Sequence, residues 1–86
     1  MASVDLQWIN DNAREEHSTG FVDHEEHDVR TLYSYYSEYW GANLYWIVRT
    51  VYCVMSDGYI EPEVTDVTED QAIAFLDLPA TIYPDM

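Results

Sequence analysis

The stretch Asn43–Met55, NLYWIVRTVYCVM, decides the fold. Its aromatic and β-branched residues suit a pleated surface. A long helix competes for the same residues: Tyr33, Trp40, Ile47 and Val54 fall seven apart, with Tyr36, Leu44 and Val51 between them. Gly41 and Asn43 interrupt that helix, and the β-branched density from Ile47 to Val54 disfavours it. The strand reading leads. A strand apolar on both faces belongs in the middle of a sheet.

Working outward, TLYSYYSEYW (Thr31–Trp40) is a second such run, separated from the first by Gly41–Asn43. Ser56, Asp57 and Gly58 form another turn, and YIEPEVTDV (Tyr59–Val67) then alternates. In that alternation Ile60 and Val64 point one way, and Tyr59, Glu61, Glu63 and Thr65 the other. Pro62 has no N–H to give a ladder, so this strand belongs at an edge. The three runs predict an antiparallel β-meander. Before them, Ser3 caps a helix expected to run to about Glu16, with Leu6, Ile9 and Ala13 on one face. Glu15 and Glu16 oppose the dipole at its end. His17–Gly20 reads as a stop and Phe21–Asp28 as a loop. After the strands, Thr68-Glu69-Asp70-Gln71 is a capping box opening a helix with Ala72, Ile73, Phe75 and Leu76 as its apolar stripe. Pro79 ends it, and Ile82 and Tyr83 are expected to pack the tail. The expected fold is α+β: a single small domain over residues 1–86, with a three-stranded meander and one helix at each end.

Charge shapes what such a domain can bind. The 86 residues carry 17 acids against three arginines and no lysine, a net charge of −14. Self-repulsion on this scale costs a few kcal/mol, damped over a Debye length of about 8 Å. That is an appreciable part of the roughly 5–15 kcal/mol that holds a small domain together. Residues 11–30 contain seven acids and two arginines; residues 57–77 contain seven acids and no base; residues 31–56 contain only Glu38 and Arg49. Two acidic blocks flank an almost neutral aromatic hairpin. A field of this sign repels nucleic acid and anionic membranes and attracts basic surfaces. With three Trp, eight Tyr and two Phe, the chain is not a disordered acidic tail. One cysteine, Cys53, allows no internal disulfide and fits a reducing compartment. MASVDLQW lacks the features of a signal peptide. The longest apolar run, Leu44–Met55, spans 12 residues, includes Arg49 and is too short for a membrane span. A cytoplasmic location is expected, that of the host cell if the chain is carried by a phage.

Motifs for chemistry are weak. Asp23-His24-Glu25-Glu26-His27-Asp28 places two histidines three apart, which with His17 and a carboxylate is a metal-ligand set on paper. The order H-E-E-H is not the zincin order, and a solvated loop accounts for it. Ser56-Asp57-Gly58-Tyr59 resembles the centre of a calcium loop. Aligning Gly58 at the loop's sixth position puts Cys53, Met55 and Val64 where oxygen ligands belong. Cys53 reads as an inert thiol in mid-strand. No phosphate-binding loop is present, so neither a cofactor nor an enzymatic activity is expected. Tyr33, Tyr35, Tyr36, Tyr39, Trp40, Tyr45, Trp46, Tyr52 and Tyr59 are too many to bury on one sheet face, so some belong at the surface, where such residues anchor partners.

In size, acidity, absence of lysine and aromatic richness the chain resembles small acidic inhibitors of phages and mobile elements: DNA mimics, antirestriction proteins and anti-CRISPR proteins. The resemblance implies a protein without chemistry of its own that occupies the basic nucleic-acid channel of a defence nuclease and blocks DNA. On this reading Asp57, Glu61, Glu63, Asp66, Glu69 and Asp70 stand in for phosphates, and Tyr36, Trp40 and Tyr59 are the anchors. Residues i and i+2 of a strand lie about 6.6–6.8 Å apart, a spacing at which edge carboxylates can meet a phosphate-binding site. The alternative is a small intracellular interaction module, antitoxin-like or a regulatory subunit, docking through an aromatic sheet face on a partner or on a second copy. Two plainer accounts of the acidity stay open: protection of a sheet edge and solubility, and adaptation to a salty cytoplasm.

Stability should rise as salt goes from low to moderate concentration, followed by thermal denaturation. Salt adaptation predicts unfolding near 0.15 M; a cooperative melt well above about 37 °C at that ionic strength excludes it.

Overall fold

The sheet order is β1-β2-β3-β4, antiparallel throughout. A computed structural model describes residues 5–56 and 58–83, with the backbone alone at 56 and 58–60. The elements are α1 (Leu6–Asn12), β1 (Arg14–Val22), β2 (Glu26–Ser37), β3 (Ala42–Cys53), a 3₁₀ turn (Val54–Ser56), β4 (Gly58–Val67) and α2 (Glu69–Leu76). The molecule is 44 Å long, about the length of the twelve-residue strands β2 and β3 at roughly 3.4 Å per residue.

β3 is internal and apolar on both faces, as its composition requires, and each face takes one helix. On one side α1 brings Ile9 against Trp46 and Val48, ringed by Leu6, Trp8, Ala13, Tyr33, Tyr35, Leu44 and Val64. Trp8 sits edge-on to Tyr35 at 4.9 Å and to Trp46 at 5.7 Å, an arrangement that suits ring quadrupoles. On the other side α2 brings Ala72 and Phe75 against Leu32, with Tyr45, Ile47 and Val67 around them. Register pairs confirm the division: Tyr33↔Trp46 and Val48↔Val64 on the α1 side, Leu32↔Ile47 and Tyr45↔Val67 on the α2 side.

The sheet has four strands, not three. Arg14–Val22, expected as helix end, stop and the start of a loop, pairs with β2 from Arg14↔Ser34 to Val22↔His27. The first helix therefore ends at Asn12 with Ala13 extended. Strand geometry relieves Glu15 and Glu16 of the negative end of a dipole and lets Thr19, Phe21 and Val22 pair. The N-cap is Asp5, whose carboxylate accepts the Trp8 N–H at 2.8 Å; the expected cap Ser3 lies outside the described residues. β1 contains Gly20 at φ +132°, where an added Cβ would run into the Asp28 carbonyl of β2.

Three other expectations shift. The strand preceding β3 ends at Ser37, not Trp40, so the turn is Glu38–Gly41, with Gly41 at φ +63°. In β4 the ladder breaks between Arg49 and Val51, which pair with Glu63 and Ile60. One extra β4 residue at this bulge interrupts the strict alternation expected for Tyr59–Thr65. In α2 the capping box forms as read: Gln71 N–H donates to Thr68 Oγ1 at 3.2 Å and Thr68 N–H to Gln71 Oε1 at 2.8 Å. Only Ala72 and Phe75 of its stripe are buried, however, and Ile73 and Leu76 are exposed.

The tail packs by its backbone rather than by Ile82 and Tyr83, which are exposed. Thr81 N–H donates to the Ser18 carbonyl, Ile82 N–H to that of Gly20, and Val22 N–H to that of Ile82. Among the described residues this covers the outer edge of β1 and leaves that of β4 open.

Ile9→Ala and Leu32→Ala, one per helix face, should each destabilise by about 2–5 kcal/mol in urea melts. Gly20→Ala should do so through strain alone. An unchanged midpoint for Gly20→Ala would contradict the pairing of β1 with β2.

Candidate protein-binding surface: an acidic edge and an aromatic hairpin tip

Both helices begin on the β4 side of the sheet. Asp5, Leu6 and Gln7 of the α1 start share a cleft with Glu61, Pro62 and Val64, and α2 starts one residue after β4 ends. Carboxylates favour helix N-termini, and here Asp5 caps α1 while Glu69 and Asp70 occupy the first turn of α2. Glu61, Glu63 and Asp66 line the edge strand between them, and all six are exposed. From Glu61 to Asp66 the strand covers about 17 Å. No basic residue lies on β4 or α2.

Glu61 and Glu63 were expected to share a face. The bulge separates them: Glu61 lines the cleft on the α1 side, while Glu63 stands opposite Arg49, whose side chain lies on the α2 side. Asp66, the register partner of Trp46, is on the α1 side with Glu61 and Asp5. Asp57 lies outside the described residues, and of Tyr59 only the backbone, paired with Tyr52 in β4, is described.

The anchors cluster elsewhere. Tyr36 and Trp40 are 58% and 66% exposed, and Tyr39, left out of the anchors expected from sequence, is 87% exposed. All three lie at or beside the β2–β3 turn. Ser37, itself buried, ties the turn down: its carbonyl accepts Gly41 N–H at 2.8 Å and its hydroxyl accepts Trp40 N–H at 3.2 Å. Tyr39 and Trp40 meet edge to face at 5.1 Å. Three residues, Ala42–Leu44, carry this tip beyond the Tyr45↔Val67 pair, an overhang of about 10 Å. Asp66, Glu69 and Asp70 are therefore at the tip end of the molecule, and Glu61 is toward the other. A strand assigned through Trp40 hid Tyr39 from the sequence; Ser37 and Gly41 bracketing a four-residue turn were the signal for it.

The three arginines sit away from the β4 edge and each is engaged. Arg49 holds Asp28 by two bonds, Nε to Oδ1 at 3.0 Å and Nη2 to Oδ2 at 2.7 Å. Arg14 lies 3.2 Å from Glu16. The Arg30 guanidinium rests 5.9 Å from the Phe75 ring centre. The hydrogen bonds and charge of Arg49 keep the Asp28 carboxyl below the ordinary aspartate range, and Asp28 pushes Arg49 up in turn. Burial and the Glu15 charge push the Tyr33 phenol up.

The histidines do not converge. His17 faces α2, donating through Nε2 to the Leu78 carbonyl at 2.7 Å and packing on Phe75. His27 stacks on Tyr52 on the opposite face. The carboxylate of Asp23 instead organises the β1–β2 turn, accepting from the N–H groups of Glu26 and Glu25, which lower its pKa. Among the described residues no three His, Cys, Asp or Glu side chains are placed to hold a metal ion. Cys53 is the last residue of β3 rather than mid-strand, and half-buried. No helix among the described residues is long and apolar enough to cross a membrane.

Comparison with protein-family models, with curated proteins and with solved structures finds no match to this chain.

Asp23 and Asp28 have depressed pKa values, so their stabilising effect is complete above the unfolded aspartate value and is lost as pH falls through the lower folded value. Urea melts between pH 5 and pH 2.5 should show Asp28→Asn losing less stability than the parent protein below about pH 4. Parallel acid limbs for the two proteins would contradict the Arg49 pairing.

Proposed function

We propose that this protein is an acidic inhibitor that occupies the basic nucleic-acid-binding surface of another protein and excludes DNA, with rim carboxylates in the place of phosphates. A defence nuclease complex is the target class that its resemblance to acidic phage inhibitors implies. The observation that supports this most is the base-free rim: Asp5, Glu61, Glu63, Asp66, Glu69 and Asp70 run along one side, from one helix start to the other. Each acid has a local structural use. Asp5 caps, Glu69 and Asp70 meet a dipole, and edge acids deter sheet pairing. None of those uses requires that every base be absent from β4 and α2. Uncompensated charge of this kind speeds and orients encounter with a basic partner.

The second reading, a small interaction module docking by aromatic residues, draws support from a different feature. The sheet faces carry α1 and α2, so the exposed aromatics suited to docking are those of the hairpin tip, Tyr36, Tyr39 and Trp40.

Competition separates the two. A nucleic-acid-binding protein captured on this protein should be released by duplex DNA, with affinity falling steeply from about 0.1 to 0.5 M salt. Glu61→Gln with Asp66→Asn, both on the α1 side, should weaken binding by about 1.5–3 kcal/mol if the two carboxylates meet arginines, without loss of folding. Binding that DNA does not disturb, and that neither salt nor this pair of changes alters, would leave only the second reading.

A further inference from the structure

We infer that the hairpin tip is an arginine-recognition element: Tyr39 and Trp40 are platforms on which guanidinium groups of a partner protein stack. The inference rests on the reading of a basic partner and names the side chain that the partner presents.

Tyr39 and Trp40 project from a turn that Ser37 fixes through two hydrogen bonds. Rings so exposed, 87% and 66%, contribute nothing to either core cluster. Their mutual edge-to-face contact leaves ring faces open to solvent. A pre-set turn carrying two large rings has little conformational freedom to lose on binding, which is how aromatic anchors gain affinity.

Charge selects the occupant. A second copy would bring another −14 against the first, so self-association through the tip is opposed. Glu38 lies in the turn, and Glu69 and Asp70 stand at the same end of the molecule. Cations are drawn there. Between the two common cations, guanidinium is planar and weakly hydrated and stacks on aromatic faces, whereas ammonium remains a hydrated point charge. The fold already contains one such pairing, Arg30 on Phe75. Its own arginines are engaged with Glu16, Phe75 and Asp28, so the tip has no described internal guanidinium to receive.

The test uses two peptides of equal charge, nona-arginine and nona-lysine, titrated calorimetrically into the whole protein at about 0.15 M salt. Trp40 fluorescence provides a second readout. Nona-arginine should bind about three- to tenfold more tightly, and Tyr39→Ala with Trp40→Ala should abolish that preference while leaving the thermal melt unchanged. Glu61→Gln with Asp66→Asn should weaken both peptides alike and preserve the preference. Equal affinities in the parent protein, a preference that survives loss of both rings, or no binding of either peptide would overturn the inference. Equal affinities that still fall with salt and with the rim changes would overturn it alone and leave the acidic-inhibitor reading standing.

Discussion

A strand that is apolar on both faces cannot border water on either, and β3 imposes that condition on the rest of the molecule. Trp46 and Val48 need one cover, and Tyr45 and Ile47 need another. The chain supplies a helix for each: seven residues of α1 and eight of α2. Neither helix is long enough to be stable alone in water. Each exists because Ile9, or Ala72 with Phe75, docks on the sheet. The two core clusters are consequently separate, one above the sheet and one below.

From that arrangement follows the distribution of charge. α1 leads through Ala13 into β1, and α2 follows β4 through Thr68. Both helices therefore start on the β4 side, and both positive helix ends lie there. Acids at those ends are locally favourable, and acids on an open edge discourage pairing with other chains. The opposite edge needs no such protection, since the tail covers β1. Arginines fall on β1, β2 and β3, where Glu16, Asp28 and Phe75 engage them. Compensation is local on that side and missing along β4.

Much of this was legible in the residues. β3 was readable because both faces of its pattern are apolar, and Pro62 marked β4 as an edge. Thr68–Gln71 specified its capping box without tertiary help. β1 was not legible: Arg14-Glu15-Glu16-His17 has weak strand propensity and becomes a strand only because β2 offers an unpaired edge. The bulge at Glu61–Pro62 was hidden for a similar reason, since alternation in sequence continues through it while the ladder does not. The acidic rim was recognisable as a run of acids in residues 57–77, but its extension to Asp5 depends on how α1 crosses the sheet. Tyr39 was assigned to a strand because nothing in Tyr-Trp-Gly alone fixes where a hairpin turns; the buried Ser37 decides that.

The central claim is that negative charge is paired around the arginines and unpaired along β4, where it is held against the stability of the fold for a partner to meet. The direct measurement is the melting temperature at low salt of two variants, each lacking two negative charges. Glu61→Gln with Asp66→Asn should melt above the parent protein, because repulsion along the rim is relieved. Glu16→Gln with Asp28→Asn should melt below it, because two ion pairs are lost. Shifts of the same sign in both variants would contradict the account.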